Sequence, residues 1–190
     1  MNTKRRQDEF SRCSPWLLVS AVLIAAGCSR SPSAPALGDT PVYQNNREGF
    51  RFLVPENWTQ VASGVLPRGE LEGEVLLVKY RMRTAGKGAL LEVLCFDAEK
   101  YPDLQKYHAE PSHGSKNWKL DEPPETMDIN GTNAERLIFS TEVNKQAMVK
   151  EIVAYRREQR VYSFIGLFWA SDIKAREQLR RAVDSIIWRD

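Results

Sequence analysis

The chain has little of what many exported or catalytic domains are built around. Its 190 residues hold three cysteines and two histidines. Cys13 and Cys28 fall early, ahead of a Ser/Pro tract, which leaves Cys95 alone in the remaining sequence. A lone thiol makes no internal disulfide. Cys95 lies inside "ALLEVLCFD", where a free cysteine behaves as a small hydrophobe without the exposure and neighbouring cations of a reactive thiolate. His108 and His113 are too few for a zinc site of three or four N/S/O ligands at characteristic spacing, and beside Pro111 and Gly114 they read as solvated loop residues. There is no Gly-x-Ser-x-Gly elbow and no His-Glu-x-x-His. Gly86-Lys87-Gly88 lacks the spacing of a phosphate loop and reads as a hairpin turn. Charge of one sign is also missing. The whole chain carries 27 basic and 25 acidic residues, and removing the first 27 residues leaves 23 of each. A nucleic-acid binder concentrates a basic surplus on one face, so no nucleic-acid partner is expected. No cofactor, no metal and no enzymatic activity are expected either.

What is present begins with an address. Lys4, Arg5 and Arg6 precede the apolar run Trp16 to Gly27. That run is too short for a membrane span of about 20 residues, but it has the layout of an export signal. Arg5-Arg6 lacks the following apolar residue of a twin-arginine signal. Ile24-Ala25-Ala26-Gly27-Cys28 resembles the bacterial lipobox, with alanine at position 25 where leucine is commonest. The resemblance implies cleavage before Cys28 and a diacylglyceryl thioether on its sulfur. Two or more acyl chains anchor a protein stably where one holds it only marginally. The expectation is therefore an extracytoplasmic protein held on a membrane through lipidated Cys28. Ser29 in place of aspartate favours the periplasmic side of the outer membrane in a double-membrane cell. Three segments are expected: a signal over 1–27, lipidated Cys28 with a Ser/Pro/Ala tether over 28–46, and a single domain over 47–190. Such a tether reaches roughly 23 Å as a coil and about 60 Å when extended.

The domain reads as strands closed by a helix. In "GFRFLVPENW" Phe50, Phe52 and Val54 alternate with Arg51 and Leu53, a short strand ended by Pro55, after which Trp58 folds back over the core edge. Glu74–Met82 and Ala89–Phe96 form a hairpin. A weak helix covers Leu104–Ala109, followed by a polar loop with an acidic patch. Asn130-Gly131 turns into a strand over Ala134–Val143, and a second hairpin closes around Glu158-Gln159. "SFIGLFW" is apolar on both faces and reads as a central strand. Ser171 or Asp172 caps a terminal helix whose Ala175, Leu179, Ala182, Val183 and Ile186 make one stripe. Its charged residues read as a solvated face.

Few residues stand out as candidate sites. Tyr101, Tyr107 and Trp118 lie in the irregular middle, where binding residues concentrate, and they are the candidate recognition region. The alternative is that they close the sheet edge. Glu70, Glu72 and Glu74 point to one side of an extended segment, yet lack the Asp/Asn/Gly loop that a calcium site requires. They read as a solvated face.

Taken in order, "GFRFLVPENW", "INGTNAERLIF", "RVYSFIGLFW" and "AVDSIIW" resemble the PsbP-like family, whose relatives include DcrB-type bacterial lipoproteins and the Mog family that binds the Ran GTPase. The likeness spans Glu48 to Trp188. It implies an α+β fold: a curved antiparallel sheet flanked by helices, with the C-terminal helix packed on it. It also implies a non-catalytic adaptor or assembly role with an envelope protein as partner. The alternative is a lipoprotein that binds a small apolar or metal ligand.

Overall fold

The alternating and doubly apolar segments assemble into one main sheet with a different cover on each face. The computed structural model describes residues 41–69, 71–84 and 87–189. The signal, Cys28, the tether up to residue 40, Glu70 and Gly86 lie outside the described residues. In chain order the strands are β1 (Val42–Asn45), β2 (Phe50–Leu53), β3 (Trp58–Ser63), β4 (Val75–Thr84) and β5 (Lys87–Asp97). Helix α1 (Leu104–Ala109) follows, then β6 (Lys119–Leu120), β7 (Glu125–Ile129), β8 (Thr132–Val143), β9 (Gln146–Arg157) and β10 (Arg160–Trp169). Helix α2 (Ile173–Asp184) and β11 (Ile187–Trp188) close the chain.

Eight strands form an antiparallel sheet in the order β3-β4-β5-β10-β9-β8-β6, and β7 shares the outer edge of β8 with β6. Register shifts at Gln60/Ala62 and Leu76/Val78 insert bulges, which bend a sheet. β10 is central and buried on both faces, as its composition predicted. One face packs Phe50, Phe52, Tyr155, Tyr162, Phe164 and Leu179 under α2 and a small sheet, β1-β2-β11. The other packs Phe96, Leu104, Trp118, Phe139, Ile152 and Ile165 under the 98–118 connection. Gly166 leaves room for Leu179 of α2: a Cβ there would lie 3.0 Å from Leu179 Cδ1. Asp172 caps α2, its carboxylate accepting from the Ala175 amide at 3.0 Å.

Two boundaries differ from the sequence reading. The expected tether ends early, because Val42–Asn45 pairs with β2 and Tyr43 packs its ring between Phe50, Phe52 and Tyr80. The terminal helix stops at Asp184 although Ile186 continues its stripe. Ser185 Oγ donates to the Ala182 carbonyl at 2.7 Å and accepts from the Leu53 amide at 2.8 Å. The Asn130 side-chain amide takes the Asp184 and Ile186 carbonyls at 3.0 and 2.8 Å. The chain then leaves as β11, antiparallel to β2.

Adjacent residues of a strand face opposite sides of its sheet, and β9 uses this to hold both covers. Glu151 faces α2 and meets three arginines: Arg180 at 2.9 Å, Arg176 at 3.4 Å and Arg136 of β8 at 3.4 Å. The helix face read as solvated is thus partly spent on a buried carboxylate. Glu151→Ala leaves Arg136 with the exposed Glu125 as its remaining carboxylate partner, at 3.2 Å, and is expected to lower stability by about 2–4 kcal/mol. Urea unfolding at pH 7 measures this, and a loss below about 0.5 kcal/mol, the range of an ordinary surface change, would mean the network holds nothing. Lys150, the preceding residue, faces the other way and shapes the candidate site.

Candidate functional site

The 98–118 connection crosses the second face of the sheet as a strap. Asp103 starts α1 by accepting from the Lys106 amide at 2.9 Å. One turn of spacing then points Leu104 and His108 into the sheet, where both are buried. His108 Nε2 meets Ser163 Oγ of β10 at 3.1 Å. Burial, together with the nearby charges of Lys150 and His113, brings the His108 pKa down to about 3. Lys150 is 1% exposed; its ammonium donates to the His108 carbonyl and to Ser112 Oγ and lies 4.4 Å from the Trp118 ring centre. Desolvation lowers its pKa to about 8. Trp118 Nε1 donates to the Ser112 carbonyl at 3.1 Å. His113 sits in a left-handed turn and places Nε2 2.7 Å from Glu92 Oε2, while Lys79 pairs with the other carboxylate oxygen. Burial pushes the Glu92 pKa up, but the hydrogen bonds and charges of His113 and Lys79 outweigh it and bring it to about 2.

Between strap and sheet lies a cavity of about 520 Å³. Leu76, Leu94 and Ile165 contribute its apolar lining, Tyr101 and Tyr107 its aromatic lining, and Glu74, Glu92 and Glu110 its carboxylates. The two tyrosine rings are 4.9 Å apart, and both pack on Phe96, at 5.4 and 4.4 Å. Tyr107 donates its hydroxyl to Glu74; burial and that carboxylate hold its pKa well above the usual phenol range. Lys150 and His113 line the cavity too, and Glu92 is already paired with His113 and Lys79. Aromatic faces beside Glu74 and Glu110, which make no ion pair among the described residues, favour a cationic or amphipathic group. His108 and Ser163 resemble a base and nucleophile by contact alone. Ser163 is fully buried, and a histidine that titrates near pH 3 is a poor base at neutral pH, so the pair ties the strap to the sheet.

The chain as a whole matches no known protein-family profile. No curated protein matches it either. The solution structure of cyanobacterial PsbP (CyanoP) from Synechocystis superposes with a TM-score of 0.55 at 16% identity, covering 85% of this chain and 99% of that one. The fold is PsbP-like. Two further structures align less well. The Ran-binding protein Mog1p of Saccharomyces cerevisiae covers 80% of this chain and 96% of its own, with a TM-score of 0.49 at 12% identity. A Bacteroides thetaiotaomicron protein covers 74% of this chain, which spans 45% of that one, with a TM-score of 0.44 at 8% identity.

Within this PsbP-like domain the candidate recognition residues separate into two roles. Tyr101 and Tyr107 come together and line the cavity. Trp118 does not join them: it is 5% exposed and packs beneath Lys150, out of a partner's reach. The histidines read as solvated are instead one buried in α1 and one paired with Glu92. Of the carboxylates read as a solvated face, Glu74 bonds Tyr107. Among the described residues no group of three or more His, Cys, Asp or Glu side chains could hold a metal ion. Cys95 is buried, its thiol pushed up to about 12 chiefly by burial. Sequence reasoning missed Lys150, Glu92 and Ser163. The first two carried a signal: a charge inside an otherwise apolar strand, "AMVKEIVAY" or "ALLEVLCF".

Proposed function

We propose that this protein is a non-catalytic binding and assembly module of the bacterial cell envelope, held on its membrane by lipidated Cys28 and meeting an envelope protein through the strap cavity. The observation that carries this reading is the Tyr101–Tyr107 pair: two tilted, partly exposed rings fixed at the edge of a preformed cavity. Preformed aromatic sites bind with little ordering cost. The carboxylates beside the rings suit a cationic side chain projecting from the partner. The lipobox likeness at Cys28 supports an extracytoplasmic location, with the periplasmic side of the outer membrane favoured by Ser29.

Crosslinking in intact cells, with wild type and Cys28→Ala captured in parallel and both fractionated, tests the proposal. The expected result is membrane retention and one enriched partner for wild type, with both lost in a variant that remains folded. Wild-type protein in the soluble fraction would sink the anchor, and identical captures from the two forms would sink the assembly role. One observation favours a second reading: about 520 Å³ is within the usual size of small-molecule sites, roughly 300–1,000 Å³. In that case the purified chain carries a small amphipathic ligand through native mass spectrometry, and Tyr107→Ala loses it.

A further inference from the structure

A second cleft lies where the turns between β1 and β2 and between β9 and β10 meet the chain's last residues. Its volume is about 790 Å³, and five arginines line it: Arg47, Arg68, Arg157, Arg160 and Arg189. They come from four separate stretches of chain, so folding, not local sequence, gathers them. Converging like charges are unfavourable unless matched, and the match here is partial. Glu48 takes up two of them, Arg160 at 2.9 Å and Arg47 at 3.7 Å. The cleft's two other carboxylates form no ion pair with the rest among the described residues, and five arginines against three carboxylates leave a surplus of two positive charges. Asp97 accepts from the backbone amides of Glu99 and Lys100 at 2.8 and 3.3 Å, and Glu158 makes no ion pair among the described residues. Arg68, Arg157 and Arg189 have no carboxylate partner among the described residues.

Several of these guanidinium groups are also held in place. Tyr162 donates its hydroxyl at 2.7 Å to the same Glu48 oxygen that receives Arg160, and the Glu48 side chain is 6% exposed. Arg157 lies over the Trp188 ring, 4.7 Å from its centre. Arg189 donates to Asn46 Oδ1 at 3.4 Å. An arginine fork matches the oxygens of a phosphate group, and a preset fork loses less freedom on binding. Beyond residue 27 the sequence carries 23 basic and 23 acidic residues, which makes the local surplus a property of the fold.

We propose that this arginine cleft binds a phosphate-bearing anion, with Arg68 and Arg157 as direct ligands and Glu48 as the buttress that positions Arg160. Phosphate chemistry reaches a membrane-held protein from two sources, a soluble phosphorylated solute or an anionic phospholipid headgroup. The full chain reconstituted in phosphatidylcholine vesicles is titrated calorimetrically with inorganic pyrophosphate, then again in vesicles containing phosphatidylglycerol. Arg68→Gln/Arg157→Gln is compared with a charge-matched control at exposed sites, Arg51→Gln/Lys119→Gln. Saturable binding is expected in phosphatidylcholine, weakened at least about tenfold in the cleft variant, as the loss of charge-assisted hydrogen bonds implies, and unchanged in the control. If phosphatidylglycerol competes with pyrophosphate for wild type, the headgroup is the source; if it does not, the source is a soluble phosphate. Absence of saturable binding, or equal weakening in the control and the cleft variant, would overturn the proposal. Circular dichroism and thermal melting of both variants establish that they are folded.

Discussion

Between pH 6.5 and 4.5 the domain is expected to lose roughly 2–3 kcal/mol of stability through one side chain, His108. Its pKa in the folded protein is about 3, against an ordinary value near 6.5. The unfolded chain therefore takes up a proton across this window while the folded chain does not, and stability falls as pH falls. Glu92 adds to the loss below about pH 4.5. Its folded pKa near 2 gives a contribution that is present above the unfolded value and disappears as pH drops through the folded one. The two groups hold the same strap, one through Ser163 and one through His113, so acid weakens the wall of the cavity. Chemical denaturation at successive pH values measures the effect. His108→Gln removes the titrating ring and is expected to be less stable at pH 7 but nearly flat between pH 6.5 and 4.5. Equal slopes for wild type and variant would show that His108 is not buried as a neutral ring.

Phe50→Ala is expected to cost about 3–5 kcal/mol, the usual range for a buried phenylalanine. Phe50 is 1% exposed and touches the rings of Tyr43, Phe52, Tyr162, Phe164 and Trp188. It lies on the small sheet, and Tyr162 and Phe164 lie on the large one, so the cavity it leaves opens at the joint between them. Neighbouring aromatic rings are stiff and cannot collapse into that space, which places the expected cost at the upper end. Urea unfolding of the variant measures the loss. A cost below about 1 kcal/mol would mean that β1-β2-β11 is not packed as described.

Turn chemistry and two-sided burial were the most legible parts of the fold. Asn130 and Glu158 take left-handed backbone conformations at the turns that their sequences announced, and β10 sits between two covers as "SFIGLFW" implied. Short strands were harder to read. β1 offers one packing side chain, Tyr43, and β6 spans two residues, Lys119–Leu120; their pairing comes from a partner strand rather than from their own pattern. The end of α2 was misplaced because Ile186 satisfies helical spacing, while the groups that stop the helix, Asn130 and Leu53, are remote in sequence. The sites were hidden for the same reason. Lys150, Ser163 and His108 meet only because β9, β10 and the strap are adjacent in space, and the arginine cleft draws on both ends of the domain. Tyr101 and Tyr107 could be read because they share one short segment around α1.

The most direct test of the cavity as the recognition site places a photoreactive phenylalanine analogue at position 101 in the full chain, expressed in cells that make the protein. A matched chain carries it at Ile173, which is 68% exposed and lies on the helix covering the opposite face. The expected result is a discrete envelope-protein adduct from position 101, absent from position 173 and diminished when Tyr107 is also changed to alanine. A folded, membrane-held protein that gives no adduct from position 101, or the same adducts from both positions, would contradict it.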